Sequence, residues 1–185
     1  KGEVVRVNVR DSGHGYHVQK LLAGKVPPDK VVLHQFPTND AWCRDHGAIF
    51  VTREPGQSAD QSAVQRPTLQ ALDFQYNAWG GKYPPWDADD AVPTRIGAAL
   101  GLPVFQAPIV MEGGAIDVNG EGTLLTTTSC LLNKNRNPVA SKAEIEDYLK
   151  AYYGQRHVVW LGQGIAGDDT DGHVDDLARF IDART

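Results

Sequence analysis

The sequence lacks the features that mark several large classes of protein. Its two cysteines, Cys43 and Cys130, are too few for a disulfide framework, which fits a reducing compartment, and we predict a cytoplasmic location. No apolar run is long enough to cross a bilayer and no secretory leader is recognisable, so we expect no membrane partner. The 18 Lys and Arg residues are dispersed, which argues against a nucleic-acid surface, and the net charge of −5 favours a cationic ligand.

The composition that is present is that of an ordinary globular domain, with 41% hydrophobic and 22% charged residues among 185. A strand-like pattern begins as early as residue 4, and another, at residues 178–181, lies close to the other end. We therefore predict one partial catalytic domain over residues 1–185, truncated at both ends.

Short strands alternate with short helices, which predicts a mixed α/β fold with hairpins and crossovers. The Asn119-Gly120 pair is the strongest hairpin signal, and Ser141 with Glu144 has the spacing of a helix capping box. The polar stretch at residues 53–67 predicts a surface loop. The patterns predict strands at residues 4–9, 30–36 (a buried strand), 48–52, 104–111, 123–127, 157–161 and 178–181, an extended segment at 68–79, and helices at 16–22, 89–100 and 141–153.

One histidine, His173, lies among five aspartates between residues 167 and 176. Carboxylates at this density repel one another, which predicts a cation among them: a metal ion, a basic side chain or a cationic substrate. Asp171, His173 and Asp175 occupy alternate positions, and in an extended segment all three would point to one face. The plainer alternative is a polar loop whose aspartates turn the chain and cap a helix.

Further candidate residues stand at the ends of apolar strands, where functional sites tend to be built. Trp42 could form a pocket wall with Asp45 as its floor, although an ion pair of Arg44 with Asp45 is an alternative. Glu112 is followed by two glycines that let the backbone approach closely, and a solvated turn glutamate is the alternative. The aromatic residues of segment 79–87 favour a packed loop over a substrate entrance.

Carboxylates from separate segments, together with one histidine, predict recognition of a planar cation. A guanidinium offers five N–H donors, and two carboxylates can bind its two edges. His173 would then serve as acid and base, which typically contributes about 10²–10⁴-fold in rate. A nucleophile is missing from these segments.

Five segments match one known family in order: Trp-x-Arg-Asp-x-Gly at residues 42–47, Asn-Ala-Trp-Gly-Gly-Lys-Tyr at 77–83, Glu-Gly-Gly at 112–114, Cys-Leu-Leu-Asn-x-Asn-Arg-Asn-Pro at 130–138 and Asp-Asp-Thr-Asp-Gly-His-Val-Asp at 168–175. They resemble the agmatine deiminase family, which includes bacterial peptidyl-arginine deiminases and belongs to the guanidino-group-modifying superfamily. The resemblance implies part of a five-bladed α/β-propeller (pentein fold) with ββαβ modules, and catalysis without a cofactor or metal. A cysteine attacks the guanidinium carbon, ammonia leaves, and water releases a ureido product.

By motif position, the resemblance implies that Asp45 and Asp175 bind the guanidinium nitrogens, and we count Asp171 among the substrate-binding residues. His173 would protonate the departing ammonia and then activate the water. Glu112 would orient His173 and balance its charge.

Trp42 is expected to line the pocket. The nucleophilic cysteine of the family belongs to a glycine-rich segment that we expect beyond Thr185. Cys43 lies in the wrong motif, and Cys130 lies in a segment that the family uses structurally. The isolated chain is therefore predicted to be inactive and at most to bind guanidines.

The favoured function is hydrolysis of agmatine to N-carbamoylputrescine and ammonia, in putrescine and polyamine biosynthesis, with a small cationic guanidine as partner and a homodimer as the assembly. Peptidyl-arginine deimination is one alternative. A manganese ureohydrolase is another, because Asp171-x-His173-x-Asp175 resembles the D-x-H-x-D ligand run of those enzymes. A non-catalytic guanidine-binding fragment is the third. Candidates for binding the ammonium of agmatine are Asp87, Asp89, Trp79 and Trp86.

Overall fold

The fold is seen in a computed structural model, which describes residues 3–53 and 68–185. The surface loop predicted at residues 53–67 lies outside the described residues, apart from Arg53 at the end of a strand. The strands are β1 (Val5–Asn8), β2 (Val31–His34), β3 (Ile49–Arg53), β4 (Thr68–Gln75), β5 (Val104–Val110), β6 (Asp117–Val118), β7 (Thr123–Thr127) and β8 (His157–Leu161). The helices are α1 (Ser12–Leu22), α2 (Cys43–His46), α3 (Ala78–Gly81), α4 (Asp87–Asp90), α5 (Val92–Leu100), α6 (Thr128–Leu131) and α7 (Lys142–Tyr153), with 3-10 turns at Pro28–Lys30, Gly113–Ala115 and Val174–Asp176.

The strands form three small sheets that repeat one plan. β3 pairs antiparallel with β4, and α5 then returns the chain so that β5 lies parallel to β4. β6, β7, α7 and β8 follow the same order, with β6 antiparallel and β8 parallel to β7. The first sheet holds β1 and β2 in parallel, connected through α1. The predicted ββαβ modules are therefore confirmed in the second and third sheets.

Local sequence signals give the structures that their residue types predict. Asn119 and Gly120 turn the chain between β6 and β7, with Gly120 at φ 76°, a left-handed backbone that glycine adopts without a steric penalty. The Ser141 side chain caps α7 by accepting a hydrogen bond from the Glu144 amide. The Glu144 carboxylate accepts in turn from the Ser141 amide, which completes the predicted capping box. Gly154 ends the same helix at φ 65°.

Other predicted elements differ from the structure. Residues 178–181 form no strand and lie in none of the sheets of the described part of the chain. The Phe180 amide donates to the side chain of Asp117 instead of to a neighbouring strand. The strand predicted as buried at 30–36 is shorter and only half-buried. The helix predicted at 89–100 is two helices, since Pro93 begins a new one. The segment at 68–79 is extended only as far as Gln75.

The main core lies between the second and third sheets and the helix α7. Leu72, Met111 and Leu124 are buried there against Ile145 and Leu149 of that helix. Burying each such side chain stabilises the fold by about 1.5–3 kcal/mol. This core fixes the end of β5, which Glu112 follows closely. No helix among the described residues has the length and apolar character needed to cross a membrane.

Candidate active site

A cavity of about 540 Å³ brings together residues from several distant segments of the chain. Five aspartates line it, whereas a larger cavity of about 740 Å³ is lined mainly by apolar residues of α1, of β2 and of the segment between them, and by no acidic residue. Because a charged substrate needs charged partners, the chemistry points to the smaller cavity. Its lining consists of Asp40, Trp42, Arg44, Asp45, Trp79, Tyr83, Asp169, Thr170, His173, Asp175 and Asp176.

Asp45 faces this cavity from the single turn of α2. Its carboxylate is held from two sides, because the Trp79 indole N–H donates to Oδ2 over 3.1 Å and the Gly114 amide donates to Oδ1 over 3.1 Å. Burial raises the pKa of the Asp45 carboxyl, and the neighbouring His173 and the two donors act in the opposite direction. Arg44 forms no ion pair with Asp45 in the described residues, and instead donates to the carbonyl of Ile116. Asp45 is therefore fixed in orientation and open to an external cation.

The glycines after Glu112 allow the backbone to approach the site, as predicted. A Cβ at Gly114 would overlap Nδ1 of His173 and lie 2.8 Å from Oδ1 of Asp45. A Cβ at Gly113 would overlap the carbonyl oxygen of Arg44. Only glycine therefore fits between the two sides of the site.

His173 lies between two carboxylates and is only 3% exposed. Its Nδ1 is 3.6 Å from Asp45 Oδ1, and its Nε2 is 3.8 Å from Glu112 Oε2. Its backbone amide donates to Asp168 Oδ2 and to Thr170 Oγ1, so the turn before it is built by a carboxylate and a hydroxyl of the same loop. Part of the acidic loop thus has the plain structural role that the sequence left open.

The two flanking carboxylates control the charge of His173. Burial alone would lower the pKa of the imidazole, but Glu112, Asp45 and Asp175 outweigh it and raise that pKa above the usual 6.5. At Glu112, burial would raise the pKa of the carboxyl, but His173 and Arg136 outweigh it and lower that pKa. The arrangement favours an imidazolium at His173 that faces an ionised Glu112. The imidazolium is a proton donor held next to the cavity.

We expect the His173 ring to titrate above 6.5 in the folded chain. Because its pKa is higher in the folded than in the unfolded state, its contribution to stability is complete below the unfolded value and is lost as pH rises through the folded value. His34 provides an internal comparison, since burial and the nearby Arg6 lower its pKa. Imidazole nitrogen NMR across pH would measure both rings, and a His173 that titrates at or below His34 would contradict the arrangement.

The structure separates the three alternate residues of the acidic loop. His173 and Asp175 line the cavity, whereas Asp171 does not. The expectation that all three share one face is wrong, because Asp171 at φ 65° and Gly172 at φ 108° break the extended backbone that the pattern requires. Trp42, 62% exposed, lines the cavity as expected.

Asp171 is instead surrounded by donors on its own side of the loop. Lys82 Nζ lies 2.7 Å from Oδ1, and Asn135 Nδ2 donates to Oδ2 over 2.9 Å. Arg136 also donates to Oδ2 through Nη1. For this carboxylate the predicted cation is therefore a pair of basic side chains.

The sequence patterns did not single out Arg136, and they indicated Trp79 only for packing or for binding the ammonium of agmatine. Arg136 is fully buried, and its Nε donates to Glu112 Oε1 over 3.0 Å. Nothing in its spacing identified it, although it lies in one of the five matching segments. Trp79 was considered a packing residue, and it does pack against Tyr76, but its N–H also holds Asp45. Because a buried tryptophan needs a hydrogen-bond acceptor for its N–H, the residue type alone could have indicated a polar contact for Trp79.

The mouth of the cavity is acidic, but through other residues than those predicted. Asp40, Asp169 and Asp176 line it, and the Tyr83 hydroxyl donates to Asp169. Asp89 is buried and accepts the backbone amides of residues 39 and 40, and Asp87 lines a separate cavity. Neither of these two aspartates can therefore reach a ligand in the cavity.

Neither cysteine has the properties of a nucleophile. Burial raises the pKa of the Cys130 thiol well above its usual range, and burial together with Asp89 raises that of Cys43. Thiols that stay protonated attack poorly. Both are free.

The described residues contain one set of donors close enough to share a metal ion: Glu112, Cys130 and His173. Arg136 already neutralises Glu112 there, which disfavours a second cation. The D-x-H-x-D run predicted for a manganese site does not converge, because Asp171 is engaged elsewhere. The manganese alternative therefore loses its ligand set.

An acidic cavity with an imidazole between two carboxylates is a site suited to a cation. The family model for Porphyromonas-type peptidyl-arginine deiminase matches residues 1–185, so the chain belongs to this family. Among its relatives, the agmatine deiminase of Medicago truncatula is 44% identical over 159 residues, which cover 83% of this chain and 42% of that protein.

Solved structures give the same assignment. The agmatine deiminase of Enterococcus faecalis is similar with a TM-score of 0.82 and 36% identity, over 97% of this chain and 46% of the other. The agmatine deiminase of C. jejuni with substrate bound is similar with a TM-score of 0.80 and 35% identity, over 97% and 48%. The predicted α/β fold class is confirmed by this likeness. The chain spans about half the length of the relatives it matches.

Proposed function

We propose that the whole protein is an agmatine deiminase, which hydrolyses agmatine to N-carbamoylputrescine and ammonia. The observation that carries the proposal is His173 held between Asp45 and Glu112 at the wall of an acidic cavity. Its relatives and the similar structures named as agmatine deiminases support the choice of substrate.

In this proposal each residue acts through a contact already described. Asp45 and Asp175 bind the guanidinium nitrogens, since both face the cavity and Asp45 is fixed by its two donors. Trp42 and Trp79 form walls that exclude water from one side of the guanidinium plane. Asp171 supports the loop from outside the cavity and does not touch the substrate.

The reaction needs a thiolate that we place outside this chain. That thiolate attacks the guanidinium carbon, and the C–N bond to one terminal nitrogen breaks as His173 gives it a proton, so that ammonia leaves. The C–S bond now holds a cationic amidino group. His173, now neutral, takes one proton from water, and the resulting hydroxide adds to the same carbon; the C–S bond then breaks, the thiolate leaves, and the remaining hydroxyl proton passes to solvent. The product is the ureido compound, and Glu112 balances the charge of His173 throughout.

Agmatine fits this cavity better than peptidyl-arginine does. The lining holds five carboxylates and two basic residues, Arg44 and His173, which favours a substrate with a second positive charge. We propose that Asp40 and Asp176 receive the ammonium, since Asp169 already lies beside Lys82 and accepts from Tyr83. A peptide arginine has a neutral backbone at that end, so deimination of protein arginine is the second candidate.

Calorimetric titration of this chain tests the binding half of the proposal. We expect agmatine to bind more tightly than putrescine, which lacks the guanidinium, and more tightly than a blocked arginine amide. Asp45→Asn should weaken agmatine binding about 30-fold or more, because truncating one partner of a buried charge pair costs about 2–5 kcal/mol. Asp87→Asn makes the same charge change outside the cavity and should bind as the unaltered chain does.

Two other outcomes would change the proposal. Tighter binding of the arginine amide would move it to peptidyl-arginine deimination. Equal binding by the Asp45→Asn and Asp87→Asn variants would remove Asp45 from the substrate site. Release of ammonia from agmatine is then measured on the whole protein.

We also propose a location, a metabolic role and an assembly for the whole protein. The two free thiols fit a cytoplasmic location, and the proposed reaction fits a role in putrescine biosynthesis. A homodimer of the whole protein would be seen by light scattering after size exclusion, and a monomeric mass would contradict it.

A further inference from the structure

Arg136 connects the two halves of the site without touching the cavity. Its side chain is fully buried, and its guanidinium contacts two carboxylates that come from different segments. Nε donates to Glu112 at the end of β5, while Nη1 donates to Asp171 and Nη2 to the carbonyl of Thr170 in the acidic loop. One planar group therefore ties the loop that carries His173 to the carboxylate that faces His173.

The two oxygens of Glu112 are divided between a fixed cation and a titrating one. Oε1 accepts from Arg136 over 3.0 Å, and Oε2 lies 3.8 Å from Nε2 of His173. Cys130 Sγ is 3.9 Å from Oε2 and stays protonated, so it adds no charge. The negative charge of Glu112 is thus shared between Arg136 and His173.

We propose that Arg136 is a positioning residue of the active site, which fixes the loop of His173 against Glu112 and limits how strongly Glu112 retains the proton of His173. Without Arg136, the whole charge of Glu112 would face the imidazole, and His173 would release its proton less readily. With it, the proton is held firmly enough for the ring to be charged and loosely enough to be given to a leaving group. The catalytic part of this inference rests on the proposed function, whereas the proton affinity of His173 does not.

Other groups also act on His173, and the inference concerns only the share of Arg136. Asp45 faces Nδ1 from α2, Asp175 and Asp168 lie on the ring's own loop, and the thiol of Cys130 faces it from α6. None of these groups is removed when Arg136 alone is changed, and Arg136→Lys, which can still donate to the loop, separates the charge from the loss of its contacts. A change in the pKa of His173 would therefore measure the effect of Arg136 on it.

The test is NMR titration of the His173 ring in the full chain with Arg136→Gln. We expect the pKa of His173 to rise by about 1 unit, because one neighbouring positive charge is gone. Arg136→Lys, which keeps the charge, should return the pKa close to the original value. Arg95→Gln removes the same charge from an exposed residue that donates to the carbonyl of Pro37, and should leave His173 unchanged.

Arg136→Gln leaves Asp171 without its guanidinium, so this variant can fail to fold. In that case the same comparison is made between Arg136→Gln/Asp171→Asn and Asp171→Asn alone, where no carboxylate of the loop is left unpaired. In whichever of the two comparisons the variants fold, an equal pKa of His173 with and without Arg136 would overturn the inference.

In the whole protein, Arg136→Gln should lower kcat about tenfold with little change in KM, and should move the pH profile upward by the same shift. If the pKa rises but agmatine neither binds nor reacts, the proposed function fails and the positioning role stands.

Discussion

Replacing Glu112 with leucine is expected to lower the free energy of unfolding by about 3–5 kcal/mol, because the buried guanidinium of Arg136 loses its fully buried partner and keeps only the partly exposed Asp171. The side chains of Glu112 and Arg136 are both 0% exposed, so water cannot take the place of the carboxylate. The loss is a large part of the stability of a domain of this size. Urea unfolding at pH 7, with the slope unchanged between variants, would measure it.

Two further variants show whether the loss belongs to the pair. Glu112→Leu/Arg136→Met removes both charges and should recover much of the stability, since a buried pair can be replaced by apolar groups at little cost. Lys30→Gln breaks an exposed contact with Asp29 and should change little. A double variant as unstable as Glu112→Leu would mean that the contacts of Arg136 with the acidic loop matter more than those with Glu112.

Gly114→Ala is expected to weaken agmatine binding by about 5- to 150-fold, since forcing one methyl group into a packed site costs about 1–3 kcal/mol. The new Cβ would overlap the ring of His173 and press on the carboxylate of Asp45, so one of them must move. The Gly114 backbone is not left-handed, so the effect comes from this overlap alone. Calorimetric titration with agmatine gives the affinity directly.

Gly162→Ala is the matched control for that experiment. Gly162 also lies outside the left-handed region, and a Cβ there would meet nothing within 4 Å. The variant should therefore bind agmatine as the unaltered chain does. If Gly114→Ala binds equally well, the close packing of Gly114 against His173 is not part of the binding site.

The elements predicted correctly from sequence are those whose cause is local. The turn at Asn119 and Gly120 and the capping box of Ser141 with Glu144 each need only residues within a few positions. Residues 178–181 failed because apolar residues make a strand only when another strand pairs with them. The boundary at Gln75 was missed because the turn after it depends on Asn77, which accepts from the Gly80 amide.

In the candidate site, too, the features that depend on residues distant in the sequence were the ones that the patterns missed. Resemblance to a family placed Asp45, Glu112 and His173 together, and the structure brings them within ion-pair distance of one another through His173. Alternation failed at Asp171, because a single left-handed residue reverses which way the next side chains point. Arg136 could not be found, since its importance comes from two partners that the sequence does not place beside it.

The two residues that donate hydrogen bonds to Asp45 are separated from it by 34 and 69 positions in the sequence. His173, which Asp45 faces, is farther away still. Contacts at such separations form late in folding, because the long loops between them must close first. The cavity should therefore be among the last parts of the molecule to be completed, and an unfolded or half-folded chain should hold no guanidine. A guanidine that binds there would stabilise only the finished fold, in proportion to the logarithm of its concentration, so that the substrate would protect its own binding site against unfolding.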